Sequence, residues 1–225
     1  LPGGESVTLG GKCASQGGLD PLGLVTGSEG LLGMVFEVVV KILRKAPVTR
    51  TLLASFASVP AAGQCVARII ADGVVPAAME FMDRRAAEAI EDYNAPGYPK
   101  GAEGILIMDA DGVEADVSHA VSRITAIVAQ CGGHTVEATD EKQRMRIWSG
   151  RKAAFAAMGK LAPDMICMDG TIPRHTLPAV LAEMEELSHK HGLGFCNVFH
   201  AGDGNLHPLI IFDMMKPGEF ERAEE

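Results

Sequence analysis

From residue 51 onward, short apolar runs of strand length alternate with stretches of helical period, and this alternation restricts the fold more than any other feature of the chain. Residues 51–56, 74–82, 104–109, 134–138 and 165–168 read as strands. Between them, 60–72, 83–93, 112–131, 140–157 and 173–191 carry helical spacing, and the longest places Val117, Val121, Ile124 and Val128 on one face. Asp83 and Asp140 stand where a short acceptor side chain satisfies free first-turn amides. The series closes on 195–212, FCNVFHAGDGNLHPLIIF, two apolar runs about a Gly202-Asp203-Gly204-Asn205 turn. Strands that alternate with helices but return through hairpins predict an α+β domain of the ferredoxin-like kind. We expect a mostly antiparallel sheet with helices on one face, built as two halves sharing or abutting that sheet.

Composition narrows the function classes. A net charge of -9 and a pI near 5.3, with no basic run, argue against a nucleic-acid surface, which needs clustered Lys and Arg. Aromatics make up only 5% of a 47% hydrophobic chain, so the core must be mostly aliphatic and Met-rich. Five scattered cysteines (Cys13, Cys65, Cys131, Cys167, Cys196) without a CxxC read as reduced thiols of a cytoplasmic protein. No apolar run approaches the ~20 residues of a membrane span. The polar, glycine-rich start lacks both a signal peptide and an initiator Met, and we expect a piece of a longer polypeptide.

Two local patterns carry chemistry. His200 closes the first run of the hairpin and His207 opens the second, so folding brings two imidazoles to one end of a sheet. Such a pair can hold a divalent metal such as zinc. It can equally be a polar turn whose two histidines bond backbone carbonyls, and the spacing alone favours that second reading. Upstream, glycines at 23, 27, 30 and 33 precede residues 34–43, MVFEVVVKIL, which read as a strand. The loop suits close approach to a flat ligand or a phosphate, or is a tight turn before a strand. It is neither a Walker A nor a GxGxxG motif. Arg151 alone reads as a surface or helix-end arginine, and Asp109 and Asp111 as turn residues beside Gly112.

The strings TGSEGLLGMVFEVVVKIL, WSGRKAAF, CMDGTIPR and NVFHAGDGNLHPLI, in this order, resemble the FAD-linked glycolate oxidase subunit and its D-lactate and D-2-hydroxyglutarate dehydrogenase relatives. The resemblance implies that residues 1–45 are the end of an FAD-binding domain and 46–225 most of a C-terminal substrate domain. It implies that Gly27, Ser28, Glu29, Gly30 and Gly33 contact FAD, that His200 and His207 bind a divalent metal, and that Arg151 holds the substrate carboxylate. Asn205 and Asp203 are then candidates to orient the histidines, or ordinary turn formers. Cys167, where relatives acting on larger diacids carry a lysine, points to a small hydroxy acid.

The implied activity is oxidation of glycolate or D-lactate to the 2-oxo acid, in company with iron–sulfur and other oxidase subunits that can hold the protein at a membrane periphery. The pyrophosphate cradle, the third metal ligand and the catalytic base are expected outside these residues, leaving the piece alone inactive. A non-catalytic metal- or acid-binding module, or an assembly subunit, is the competing class.

Overall fold

The computed structural model describes residues 1–11 and 18–225, so Cys13 lies outside the described residues. Contacts divide the chain into Leu1–Lys45 and Ala46–Glu225. In the first unit, Asp20 caps a short helix, α1 (Pro21–Val25), by accepting from the Gly23 N–H. The expected strand over 34–43 does not form. Val39 is 91% exposed and Ile42 87%. A strand exists by pairing, and no described residue of this unit offers a ladder to it, whatever its β-branched content.

The second unit holds β1 (Val48–Phe56), α2 (Val59–Ala71), β2 (Ala78–Asp83), α3 (Arg84–Asn94), β3 (Gly104–Gly112), α4 (Glu114–Gln130) and β4 (His134–Glu137). There follow α5 (Glu141–Lys152), α6 (Ala154–Met158), β5 (Asp164–Cys167), β6 (Gly170–Thr171), a 3-10 turn (Arg174–Thr176) and α7 (Leu177–His191). The chain ends with β7 (Gly194–Phe199), β8 (Asn205–Leu206), β9 (Pro208–Phe212) and α8 (Glu219–Glu224). β2 begins four residues later than expected, past Pro76, which has no N–H to give a ladder. Ala153 divides the single helix expected over 140–157 into α5 and α6.

Seven strands form one sheet in the order β4-β1-β3-β2-β7-β9-β5, every pairing antiparallel. The first four have the ferredoxin-like order. In the other half, β5, α7, β7 and β9 repeat its first three strands, as β5-β9-β7. The halves join edge to edge where β2 meets β7, with Phe81 opposite Phe199 and the two rings 4.8 Å apart. The fold class is as expected, but the helices cover both faces. One face packs α2, α4 and α7 against Leu52, Phe81, Leu106 and Phe199. The other packs α3, α5 and α6 against Leu53, Met82, Ile107 and Val198. Both core strands β1 and β3 are apolar on both sides, which a sheet covered twice requires.

Two groups fix the second face. Asp83 caps α3, accepting from the Ala86 N–H at 2.9 Å, and its other oxygen accepts the Asn197 N–H from β7 at 2.5 Å. Asp109, expected in a turn, is instead buried within β3. It accepts from Thr51 Oγ1 on the neighbouring strand, and from Trp148 Nε1 (3.0 Å) and Arg144 Nη2 (2.9 Å) of α5. The four described cysteines are free, and burial pushes the Cys196 thiol up to about 12.

Burial pushes the Asp83 carboxyl up to about 6, against the opposing pull of its Ala86 and Asn197 donors. A folded value above the unfolded one makes the folded state bind more protons between about pH 4 and pH 6, so stability falls as pH rises through that window. We expect Asp83→Asn to flatten this fall, of at most about 3 kcal/mol, in urea unfolding measured across pH. An unchanged pH slope would contradict the burial effect.

Candidate functional site

The seam between the halves places the residues that matter. In β2 the side chains of Met79 and Phe81 enter the first core, and Met82 the second. Alternation therefore sends Glu80 to the second face, where α5 lies. The β2–β7 register pairs Phe81 with Phe199 and Met82 with Val198. One step further, the same register sets Glu80 opposite His200.

The contacts follow that placement. Glu80 is 8% exposed. Its Oε1 lies 2.8 Å from His200 Nδ1. Its Oε2 accepts from Arg151 Nε at 3.0 Å, and Arg151 Nη2 stands 2.9 Å from the same oxygen as an ion pair. Arg151 comes from the last turn of α5, already seated on Asp109 by Arg144 two turns earlier and Trp148 one turn earlier. Gly150 lets this turn press against the loop after α3, since a Cβ there would meet Tyr98 Oη at 2.5 Å and Pro96 at 2.6 Å. Tyr98 Oη donates to the Ile147 carbonyl at 2.7 Å, and burial raises its phenol above the ordinary value.

His207 enters from the other side of the hairpin. Its ring stands edge-to-face to His200, with centroids 5.3 Å apart. Its Nδ1 is 3.6 Å from Asp169 Oδ1, the same oxygen that accepts Asn205 Nδ2 at 3.0 Å. Asn205 also bridges to His200 through the backbone. Asp203 instead donates its N–H to the His200 carbonyl at 3.2 Å and lines an open cleft with Ile172, Arg174 and His175. Arg151, Glu80, His200 and His207 do not line that cleft.

Sequence reasoning placed Arg151, His200 and His207, and the structure connects the first two through Glu80 while His207 faces His200. Glu80 itself was missed. Its signal was available: an acid inside the apolar run AMEFM needs a buried partner. Asp169 was missed as well, for it reads as one more loop acid. The arginine also differs from a free fork, because its Nε edge is committed to Glu80 and only the Nη1 side remains for another carboxylate.

The two implied groups can be tested against these residues. Among the described residues no three His, Cys, Asp or Glu side chains converge to hold a metal ion. The imidazoles nonetheless suit a metal chemically, since each turns Nδ1 toward a carboxylate, the arrangement that orients a ligating Nε2. In the first unit, Gly27, Glu29 and Gly30 have positive φ, and a Cβ at Gly27 or Gly30 would meet nothing within 4 Å. That backbone is open to close approach by a flat cofactor, as one wall and not an enclosure.

The family described as FAD linked oxidases, C-terminal domain, matches residues 45–225. The chain belongs to that family. It is 52% identical over 223 residues to "Glycolate oxidase subunit GlcD" of Escherichia coli (strain K12), covering 99% of this chain and 45% of that protein. The Bacillus subtilis (strain 168) protein of the same name is 35% identical, over 100% of this chain and 48% of its own length. "D-lactate dehydrogenase [cytochrome], mitochondrial" of Kluyveromyces lactis is 27% identical, over 88% and 36% respectively. The chain thus spans about half the length, or less, of these curated relatives. Among solved structures, an alkyldihydroxyacetonephosphate synthase superposes with a TM-score of 0.62 at 14% identity, covering 86% of this chain and 42% of that one. A p-cresol methylhydroxylase superposes at 0.56 with 14% identity, over 80% and 42%. At that identity the likeness is one of fold. No helix among the described residues is long and apolar enough to cross a membrane.

The turn between the histidines is set by Gly204, at φ +73°, where a Cβ would press on the Ile172 carbonyl oxygen. Gly204→Ala should therefore cost about 1–3 kcal/mol in urea unfolding and loosen the β6–β8 pairing that holds Asp169 and Asn205. Stability equal to the wild type would show that the turn is not so constrained.

Proposed function

We propose that the full-length protein oxidises a small 2-hydroxy acid, glycolate or D-lactate, to the 2-oxo acid. The observation that carries this reading is the Arg151–Glu80–His200 chain beside His207, in a chain 52% identical to a glycolate oxidase subunit. A small acid needs two fixed points, its carboxylate and its hydroxyl. Arg151 offers its remaining Nη1 edge to the carboxylate, and the imidazoles face the hydroxyl. The buried base of Arg151, with a side chain 12% exposed, keeps water from competing for that charge. FAD, when bound, supplies the hydride acceptor. We assign Gly27, Ser28, Glu29, Gly30 and Gly33 as one wall of its site, and Leu1–Lys45 as the end of the domain that binds it. Exposed Phe36, Val39 and Ile42 support this, being apolar surface that a domain body would cover.

A divalent metal such as zinc belongs to the same proposal, with the Nε2 atoms of His200 and His207 as two of its ligands and polarisation of the hydroxyl as its contribution. The proton acceptor is taken to lie elsewhere in the full-length protein. The name "subunit" borne by the relatives supports work alongside partner proteins; iron–sulfur subunits among them, and a place in the cytoplasm or at a membrane periphery, belong to the proposal through the sequence resemblance alone.

In the full-length enzyme, Arg151→Lys should raise KM for glycolate about ten- to a hundred-fold, the worth of one charge-assisted bond. His207→Ala should lower turnover and any metal content together. Flavin-loaded wild-type protein that oxidises neither glycolate nor D-lactate would overturn the reading.

A further inference from the structure

We infer that Glu80 is a positioning residue of the site: one buried carboxylate fixes which nitrogen of His200 carries its proton and which edge of Arg151 is left for a ligand. The role of those two residues toward a 2-hydroxy acid rests on the function proposed above. The assignment of Glu80 rests on contacts alone.

A carboxylate held by an arginine accepts hydrogen bonds and donates none. In the neutral imidazole, the 2.8 Å contact from Glu80 Oε1 to His200 Nδ1 therefore puts the single proton on Nδ1 and leaves Nε2 with a bare lone pair. That nitrogen is then ready to bind a metal or accept a hydroxyl proton bond. Glu80 Oε2 takes the Nε–H of Arg151 at 3.0 Å, with Nη2 in ion-pair contact at 2.9 Å, so the guanidinium turns its Nε side inward and its Nη1 side outward. A single side chain sets two groups from different elements, one on α5 and one at the end of β7.

Simple docking of α5 does not account for this acid. Asp109 already anchors the helix through Arg144 and Trp148. Removing Glu80 should accordingly disturb the site more than the packing. The His200 side chain is 45% exposed, so its ring has no tight walls to hold its orientation and depends on the carboxylate behind it.

The test is nitrogen NMR of the full-length protein labelled with 15N-histidine and treated with chelator, the His200 signal being identified by its loss in His200→Gln. In the wild type we expect the Nδ1-protonated tautomer. In Glu80→Gln, whose amide can present either a donor or an acceptor, we expect a mixture of tautomers, and KM for glycolate about ten- to a hundred-fold higher. Proton on Nε2 in the wild type, or identical His200 spectra in wild type and Glu80→Gln, would overturn the inference. Should Glu80→Gln fail to fold, the wild-type spectrum still decides. Should His200 behave as expected while the wild type oxidises neither glycolate nor D-lactate, the role of Glu80 stands and the substrate reading falls.

Discussion

A carboxylate inside a β-sheet is tolerable only when its charge is met, and Glu80 is met twice. An unpaired buried charge costs several kcal/mol, and removing one partner of a buried pair typically costs about 3–5 kcal/mol. Arg151 must therefore sit where it does, and with it the end of α5. The same need orients His200 across the seam between β2 and β7. The site is thus a consequence of satisfying one strand residue, with the chemistry drawn from the partners that residue collects.

The sheet makes this possible by joining two related halves at their second strands. The ferredoxin-like order β4-β1-β3-β2 meets β7-β9-β5, so residues from both halves converge on the line where β2 and β7 pair. The hairpin with the two histidines belongs to one half, Glu80 and α5 to the other. Apolar helices on one face leave the other face free to carry polar anchors. There, α5 uses Arg144, Trp148 and Arg151 in place of an apolar stripe.

That substitution explains what could be read from the chain and what could not. The hairpin, the caps at Asp83 and Asp140, and the ferredoxin-like rhythm were legible because periodicity and short acceptor side chains act locally. The covering of both faces was not, because a helix such as α5 that docks through polar side chains has the pattern of a solvated one. Glu80 and Asp109 were hidden for the same reason: their partners lie 71 and 35 residues away in the chain, on an element whose inner face is charged. Residues 34–43 erred in the opposite direction. Their β-branched content states a preference for extended structure, but a ladder needs a second strand. His200 and His207 stood out from the hairpin itself, whose spacing alone favoured a polar turn, whereas Arg151 was named only through whole-string resemblance.

The account stands or falls on the geometry of an occupied site. A crystal structure of the full-length protein with oxalate, an unreactive mimic of a small hydroxy acid, tests it most directly. The account predicts oxalate against the Nη1 edge of Arg151 and beside the His200–His207 pair, with Glu80 still bonded to both partners. Oxalate bound away from Arg151, or Glu80 swung free of His200 when it binds, would contradict it.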